Sequence, residues 1–239
     1  MTFTIPETTL GWDEPNGLTA RGTLIVLAGR GESAGVYERF GRRISADAYR
    51  VRVIDDIAAD PSTAADRVHA LLADDNLPTP RVLVGSDGGS ALALLLASTH
   101  TDSFAAVVVA GLPIATRNTA AGGEAELRSA CPVHRRTLDD GSLVQAGALA
   151  RPLPAELALP DAGSITLPVL AVHGDADVVS PLDEALPYYR ELSDADILTV
   201  RGGRHDSLND LSHRSVAASI VLFLERVRAG VPILDRLER

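Results

Sequence analysis

The sequence predicts an α/β protein with a doubly wound, mostly parallel sheet covered by helices on both faces. Several short runs are rich in β-branched residues and almost entirely apolar, which is typical of strands buried on both faces. Helical patterns alternate with these runs, and such a connection between parallel strands is almost always right-handed. With 239 residues, 46% of them hydrophobic, the chain suits one large domain over residues 1–239.

The first half of the chain carries four predicted strands with helical patterns between them. These strands are 22–29, 49–55, 81–85 and 104–111. Residues 34–45 have apolar side chains at helical spacing, and a second helix begins at Pro61, where a proline suits the first turn. A third helix, rich in alanine and leucine, follows the third strand directly. Strand and helix therefore alternate as a parallel sheet requires.

The alternation stops between residues 114 and 166. This segment contains glycines, prolines and broken helical patches, and no strand is predicted in it. We interpret residues 114–166 as an insertion that forms a small lid or cap on the single domain. The alternation then resumes, with predicted strands at 168–174 and 196–203 and predicted helices at 182–192 and 211–227.

The charge balance disfavours nucleic acid and anionic membranes as partners. The chain has 22 Lys and Arg against 32 Asp and Glu, a net charge of −10, and no basic stripe. Its longest apolar runs are far shorter than the roughly 20 residues that a membrane-spanning helix needs. The first residues lack the pattern of a signal peptide, so we expect a cytoplasmic protein. We expect a small molecule as its partner and leave the oligomeric state open.

The single cysteine limits the chemistry that the chain can carry. Cys131 is the only one, so neither an internal disulfide nor a cysteine-based zinc site is possible. We therefore expect a reaction that needs no metal ion and no other cofactor.

The sequence "GSDGG" at residues 85–89 lies between the third strand and an apolar helix. A nucleophile on such a tight strand-to-helix turn has glycines two places before and two places after it, because a Cβ there would collide with its neighbours. That spacing holds when Asp87 is the apex. With Ser86 as the apex, the bulky Val84 would lie two places before it. The alternative is that Asp87 simply caps the helix.

Two later strand ends carry an acid and a histidine. Asp177 lies in "HGDAD" after the strand 168–174, with Asp175 as a rival acid, and His205 lies in "GGRH" after the last strand. Ligands of open parallel sheets bind at the carboxyl ends of the strands. Each residue alone has an ordinary explanation, an Asx turn or a solvated loop histidine. The order of apex residue, acid and histidine on one sheet is more specific.

With these motifs the chain resembles the α/β-hydrolase family over nearly its whole length. The sequence "LAGRGES" at 27–33 is similar to that family's His-Gly-x-Gly loop, with Ala28 in place of the histidine. The resemblance implies that Asp87, Asp177 and His205 are the catalytic residues. It also implies an oxyanion hole made from two backbone N–H groups.

The two N–H groups that the resemblance implies belong to Arg30 and Gly88. Within the family, an aspartate at the apex is similar to epoxide hydrolases and haloalkane dehalogenases. A carboxylate is already ionised at neutral pH, and its attack on a saturated carbon gives a stable alkyl ester. Its attack on an ester would give a reactive anhydride. We therefore expect Asp87 to be alkylated and His205 to activate the water that hydrolyses the resulting ester.

The chain departs from both of these subgroups. Dehalogenases resemble one another in a tryptophan directly after the nucleophile, whereas this chain has Gly88 there and its only tryptophan is Trp12. Epoxide hydrolases use tyrosines of the cap, and residues 114–166 contain none. The residues considered as substitutes are Arg30, His134 and Ser90. The residues expected to line an apolar substrate pocket are Leu112, Ile114, Val178 and Val179.

Two other functions stay open at this point. One is an esterase, thioesterase, lactonase or lyase in which Asp87 is a general base or Ser86 is the nucleophile. The other is a non-catalytic ligand-binding protein on the same fold, since a fold alone does not prove activity. The presence of both Asp177 and His205 favours an enzyme, because a protein that only binds needs no oriented imidazole.

Overall fold

A seven-stranded sheet forms the centre of the computed structural model, which describes residues 9–55, 57–114 and 122–234. The strand order is β1-β3-β2-β4-β5-β6-β7, and all neighbours are parallel except β1 and β3. The doubly wound α/β prediction is thereby confirmed. The strands are β1 Leu10–Trp12, β2 Gly22–Leu27, β3 Tyr49–Ile54, β4 Arg81–Ser86, β5 Ala106–Ala110, β6 Val169–Gly174 and β7 Ala195–Val200.

Helices cover both faces of this sheet and form two apolar layers. One layer packs α1 and α7 against the sheet, and the other packs α2, α3 and α6 against the opposite face. The helices are α1 Glu38–Ser45, α2 Pro61–Leu72, α3 Gly88–Thr99, α4 Glu124–Arg128, α5 Pro132–Leu138, α6 Leu182–Glu191 and α7 His213–Ala229. None of the helices in the described ranges has both the length and the apolar character that a bilayer crossing requires.

The antiparallel edge strand β1 was not predicted. It has three residues, too few to show a periodic pattern. Its partner is the segment 51–53 of β3, which is distant in the sequence. Trp12 at its end packs over Gly41 of α1, where an added Cβ would lie 2.0 Å from the indole ring. The edge strand is thus fixed by long-range contacts, which sequence patterns do not report.

Some predicted boundaries were also wrong. The strand predicted at 196–203 covers Ala195–Val200, because the chain turns at Gly202 with φ +67°. The helix predicted at 34–45 begins with a 3₁₀ turn, Ala34–Tyr37, before α1. Apolar spacing alone does not separate these two kinds of helix.

The segment between β5 and β6 packs beside the loop that follows β2. Its described part contains α4, α5 and three 3₁₀ turns, and its contact with the β2 loop includes one isolated bridge between Glu32 and Val144. The backbone N–H of Gln145 donates to the carbonyl oxygen of Gly31 at 2.8 Å. Residues 115–121 of the predicted lid lie outside the described residues.

Candidate active site

Asp87 is the apex of a tight turn between β4 and α3. Its backbone has φ +48° and ψ −123°, a conformation that costs a non-glycine residue free energy. The flanking glycines allow the turn: a Cβ on Gly85 would lie 2.4 Å from the carbonyl oxygen of Gly89. The structure therefore has Asp87 at the position predicted from the glycine spacing, and the capping alternative fails because its side chain makes no helix-capping hydrogen bond.

We expect Gly89→Ala to destabilise the fold by at least about 2 kcal/mol, the range of an overpacked interior. An added Cβ would lie 2.1 Å from the carbonyl oxygen of Leu27, and this backbone oxygen cannot move without disturbing β2. Urea denaturation would measure the change. Gly123→Ala is the matched control, since only the Glu126 side chain lies near its Cβ, at 3.7 Å. Equal midpoints for the two variants would contradict the steric argument.

His205 lies between Asp177 and Asp87. Its Nδ1 is 2.8 Å from Oδ2 of Asp177, and its Nε2 is 3.2 Å from Oδ1 of Asp87, close but not aligned as a hydrogen bond. Asp177 is held in turn by the backbone N–H groups of Val179 and Ser180, at 2.8 and 3.0 Å. The structure therefore brings together the three residues that the sequence singled out.

The rival acid Asp175 is not part of this arrangement. Its carboxylate accepts a hydrogen bond from the backbone N–H of Gly202 at 2.6 Å and lies at the exposed surface. His205, Asp87 and Asp177 are in contrast only 1%, 1% and 4% exposed. Of the two acids, Asp177 is thus the one that orients the histidine.

Arg30 binds both oxygens of the Asp87 carboxylate. Its backbone N–H and its Nε donate to Oδ2 at 2.9 and 2.8 Å, and its Nη2 donates to Oδ1 at 2.9 Å. Nη1 donates to the carbonyl oxygen of Arg151 at 2.9 Å. The Arg30 amide that was expected to stabilise an oxyanion thus holds Asp87 itself. The guanidinium contact was not predicted, because it joins two residues that are 57 positions apart in the sequence.

The surroundings of the two carboxylates and of the histidine between them favour the charged form of each group. Burial would raise the pKa of Asp87, but the nearby charges of Arg30 and His205 and the hydrogen bonds from Arg30 hold it well below its usual value. Burial would also raise the pKa of Asp177, but the charge of His205 and the hydrogen bonds of His173 and His205 outweigh this effect and lower the pKa. Burial would lower the pKa of His205, yet Asp177 and Asp87 raise it to about 10.

We expect this pKa to make stability fall with alkaline pH. The pKa of His205 is about 10 in the folded protein against 6.5 for a free histidine, so the folded state holds the proton more tightly. The stabilisation is complete below pH 6.5 and is lost as the pH rises to about 10. Melting temperatures of wild type and His205→Gln across this range would measure it. Parallel curves for the two proteins would contradict the assignment.

Ser86, Ser90 and Gly88 surround the apex in different ways. The Ser86 hydroxyl is buried against the phenol of Tyr37. Oγ of Ser90 donates to the carbonyl oxygen of Ala110 at 3.0 Å and accepts from its N–H at 3.1 Å, so it ties α3 to β5. A Cβ on Gly88 would lie 3.5 Å from the Arg30 side chain, so this residue borders the site. Neither serine is hydrogen-bonded to His205.

The four residues expected to line the pocket have different surroundings in the structure. Leu112 is completely buried in the α2–α3 apolar layer, and Ile114 packs against that layer. Val179 belongs to a separate small cluster, whereas Val178 is 56% exposed. A position near a strand end does not fix the direction in which a loop side chain points, so the four residues differ in their surroundings and their role in a pocket stays a prediction.

A second buried ion pair connects the inserted segment with the β2 loop. Arg128 of α4 is 1% exposed, and its Nη1 donates to Oε1 of Glu32 at 2.6 Å. Its Nη2 donates to the carbonyl oxygen of Arg30 at 2.7 Å and to Oε1 of Glu124 at 2.9 Å. Oε2 of Glu32 accepts from the Tyr37 hydroxyl at 2.6 Å. These contacts hold the backbone of Arg30 in place.

The same segment is also attached to the loop that carries His205. The ring of His134 is hydrogen-bonded through Nε2 to Asp206, the residue after His205. Oδ1 of Asp210 accepts from the Ser129 hydroxyl at 2.8 Å, and its Oδ2 accepts from the N–H of Arg204 at 2.8 Å. His134 was considered as a substitute proton donor at the active site, but its Nε2 is committed to Asp206.

A cavity of about 100 Å³ opens beside Arg30. Two arginines contribute to its wall, and none of the described residues around it is acidic. Within the described ranges, no group of three His, Cys, Asp or Glu side chains is arranged to hold a metal ion. The residues around the cavity are Arg30, Gly31, Ala58, Ala59, Gln145, Ala148, Arg151 and Pro152.

Solved structures share this fold at low sequence identity. A monoacylglycerol lipase from Paleococcus ferrophilus has a TM-score of 0.76 and 18% identity, over 92% of this chain and 98% of the lipase. A soluble variant of monoglyceride lipase from Saccharomyces cerevisiae has a TM-score of 0.72 and 15% identity, over 94% and 96% of the two chains. The enol-lactonase from Burkholderia xenovorans has a TM-score of 0.67 and 15% identity, over 91% and 96%.

The chain therefore has the α/β-hydrolase fold, as the sequence motifs predicted. No protein-family model matches it, and a comparison with curated proteins gives no match.

Proposed function

We propose that the protein is a hydrolase in which Asp87 attacks a saturated carbon of a small molecule and His205 activates the hydrolytic water. One observation carries the proposal. A carboxylate occupies the strained apex of the turn, and its Oδ1 lies 3.2 Å from Nε2 of a histidine that Asp177 orients. Two lipases and an enol-lactonase share the fold, which supports hydrolysis as the reaction class.

The first step forms an alkyl ester on Asp87. Oδ1 bonds to the carbon while the carbon–oxygen bond of an epoxide, or the carbon–halogen bond of a halide, breaks and the leaving group takes the electron pair. The negative charge of Asp87, one cause of the raised pKa of His205, disappears with ester formation. His205 then gives its proton to the alkoxide, directly or through water, or to solvent when a halide leaves.

The second step hydrolyses the ester. Neutral His205 takes a proton from water as the water oxygen attacks the carbonyl carbon of Asp87, and Asp177 stabilises the resulting imidazolium. The negative charge develops on Oδ2, which accepts a hydrogen bond from the N–H of Arg30 in the resting protein. The N–H of Gly88 is the second donor of the proposed oxyanion hole. Collapse of the intermediate releases the alcohol and restores the carboxylate.

The substrate can reach Asp87 only after a local rearrangement. The carboxylate is buried, and Arg30 occupies both of its oxygens. Carbonyl groups of the inserted segment in turn hold the Arg30 guanidinium, through Leu149 and Arg151. We assign residues 114–166 the role of a lid on this basis, since its displacement would free the arginine.

Isotope labelling in a single turnover tests the covalent step. With excess enzyme in heavy-oxygen water and a panel of small epoxides and halides, one heavy oxygen should enter the Asp87 carboxylate, because one of its original oxygens leaves with the product. Peptide mass spectrometry would locate the label. Ser86→Ala is the matched control and should still be labelled. Turnover with label in the product alone would exclude the alkyl ester.

General acid–base catalysis without a covalent step is the second candidate function. The observation in its favour is that Arg30 donates to both carboxylate oxygens, which lowers their nucleophilicity. In this case Asp87 and His205 exchange a proton with water or substrate, as an esterase or lyase would require. Ser86 as the nucleophile is disfavoured, because its hydroxyl faces Tyr37 and is not paired with the histidine. Activity that needs Asp87 but leaves it unlabelled would favour this candidate.

A further inference from the structure

The charge on Arg30 points to the kind of molecule that the site accepts. We propose that the substrate carries a carboxylate, and that this group replaces Asp87 on the guanidinium of Arg30. The inference rests on the proposed function, since it concerns the substrate of the same site. Three observations support it: the balance of buried charges, the geometry of the Arg30 contact, and the cavity beside it.

The buried charges balance only while Asp87 is ionised. In the resting site, the carboxylates of Asp87 and Asp177 face the cations of Arg30 and His205. Alkylation makes Asp87 neutral, and His205 can then lose its proton. Arg30 cannot, because a guanidinium stays protonated in proteins. A cation only 3% exposed would lose its carboxylate partner, which is strongly unfavourable. A carboxylate on the substrate supplies the missing charge.

The Arg30 side chain already has the geometry that binds a carboxylate. Its Nε and Nη2 contact the two oxygens of Asp87 at 2.8 and 2.9 Å, the paired arrangement that planar guanidinium and carboxylate groups favour. A substrate carboxylate that takes over these two donors also releases Oδ1 of Asp87. The N–H of Arg30 can keep its bond to Oδ2, at 2.9 Å in the resting site. Substrate binding therefore frees the attacking oxygen.

The cavity beside Arg30 is suited to such a group. Its volume of about 100 Å³ holds several water molecules or a short carboxylate. Arg30 and Arg151 both lie on its wall, and no acidic side chain is among the described residues that surround it. A carboxylate there would meet positive charge and no repulsion from these residues. A halide leaving group explains the positive charge of the cavity wall less well, because the halide becomes charged only as its bond to carbon breaks.

Calorimetric titration with butyrate and with its neutral isostere butyramide tests the inference. The wild type should bind butyrate at least about tenfold more tightly, a difference that one charged contact readily provides. Asp87→Asn should bind butyrate more tightly than the wild type, because the guanidinium has lost its internal carboxylate. The double variant Asp87→Asn/Arg30→Gln removes both charges together and should bind neither probe. It also avoids leaving Asp87 unpaired, as Arg30→Gln alone would.

The exposed Arg42 provides the control for unspecific charge effects. Arg42→Gln removes one exposed positive charge that does not line the cavity and should bind butyrate as the wild type does. Equal affinity of the wild type for butyrate and butyramide would overturn the inference. So would butyrate binding by Asp87→Asn that is no tighter than that of the wild type, or that survives in the double variant.

Labelling separates the failure of this inference from the failure of the proposed function. A short epoxy carboxylate, the matching epoxy amide and a neutral chloroalkane are compared in single turnovers. Label in Asp87 from the epoxy carboxylate at a rate at least about tenfold above the other two supports both proposals. Equal labelling by the epoxy amide keeps the alkyl ester and overturns the carboxylate, and preference for the chloroalkane assigns the anion to the leaving group. Selective butyrate binding without any label keeps the carboxylate site and removes the alkyl ester.

Discussion

With a halide substrate, whose leaving group needs no proton, a His205→Gln protein is expected to stop after its first half-reaction with an alkyl ester on Asp87. Arg30 still holds the carboxylate ionised in this variant, so the attack on carbon remains possible. The hydrolytic step loses its base, and the steady-state rate should fall about 10³-fold, within the range for removal of a general base. The trapped ester is the informative part, because a purely structural histidine would not produce it.

Intact-mass spectrometry of the variant after incubation with substrate would detect the ester. The expected result is an increase by the mass of the bound group, one per chain, located on the peptide that contains Asp87. His173→Gln is the matched control: its Nε2 also lies near Asp177, at 3.4 Å, but this ring has no contact with Asp87. An unmodified His205→Gln protein that still turns over at the wild-type rate would contradict the assigned role.

Arg128→Met is expected to lower the free energy of unfolding by about 3 to 5 kcal/mol, the cost of breaking a buried ion pair from one side. The substitution leaves Glu32 inside the protein without its cation. Burial already raises the pKa of Glu32 in the presence of Arg128, and the loss of the guanidinium would raise it further. The carbonyl oxygen of Arg30 would also lose its donor. Both effects act on the β2 loop beside Asp87.

Denaturation by urea at neutral pH would measure this change. Arg42→Met is the matched control, since Arg42 forms an exposed pair with Glu38 at 2.8 Å and should cost less than about 1 kcal/mol. The double variant Arg128→Met/Glu32→Gln removes both buried charges and should recover part of the loss. A similar small effect for both single arginine variants would show that the buried pair contributes little.

The centre of the sheet could be predicted because its strands are buried on both faces. Runs such as 81–85 and 104–111 need apolar, β-branched residues along their whole length, and this pattern is local in the sequence. The short edge strand β1 has no such constraint, since two of its three residues are exposed. Its existence depends on pairing with β3, about 40 residues later in the chain.

The central residues of the site could be predicted for a similar reason. Asp87 is marked by the glycines that its turn requires, and His205 by the glycines and strand that precede it. No nearby sequence pattern identifies Arg128 or His134 as part of the site. Their partners lie in segments distant in sequence, and only folding shows that these two polar side chains are buried and paired. Side-chain directions in loops were unpredictable in the same way, as Val178 illustrates.

Strand β1 also affects whether the sheets of two copies of this protein can pair edge to edge. Parallel strands at the rim of a sheet leave a row of N–H and C=O groups unused, and a second chain can pair with them. In this molecule β1 occupies the rim of β3 over residues 51–53, and Arg52 of that strand lies over Gly11. A three-residue strand running in the opposite direction, with a charged side chain beside it, is a poor template for further growth. This short segment thus makes the β3 rim of the sheet a poor site for pairing with a second chain.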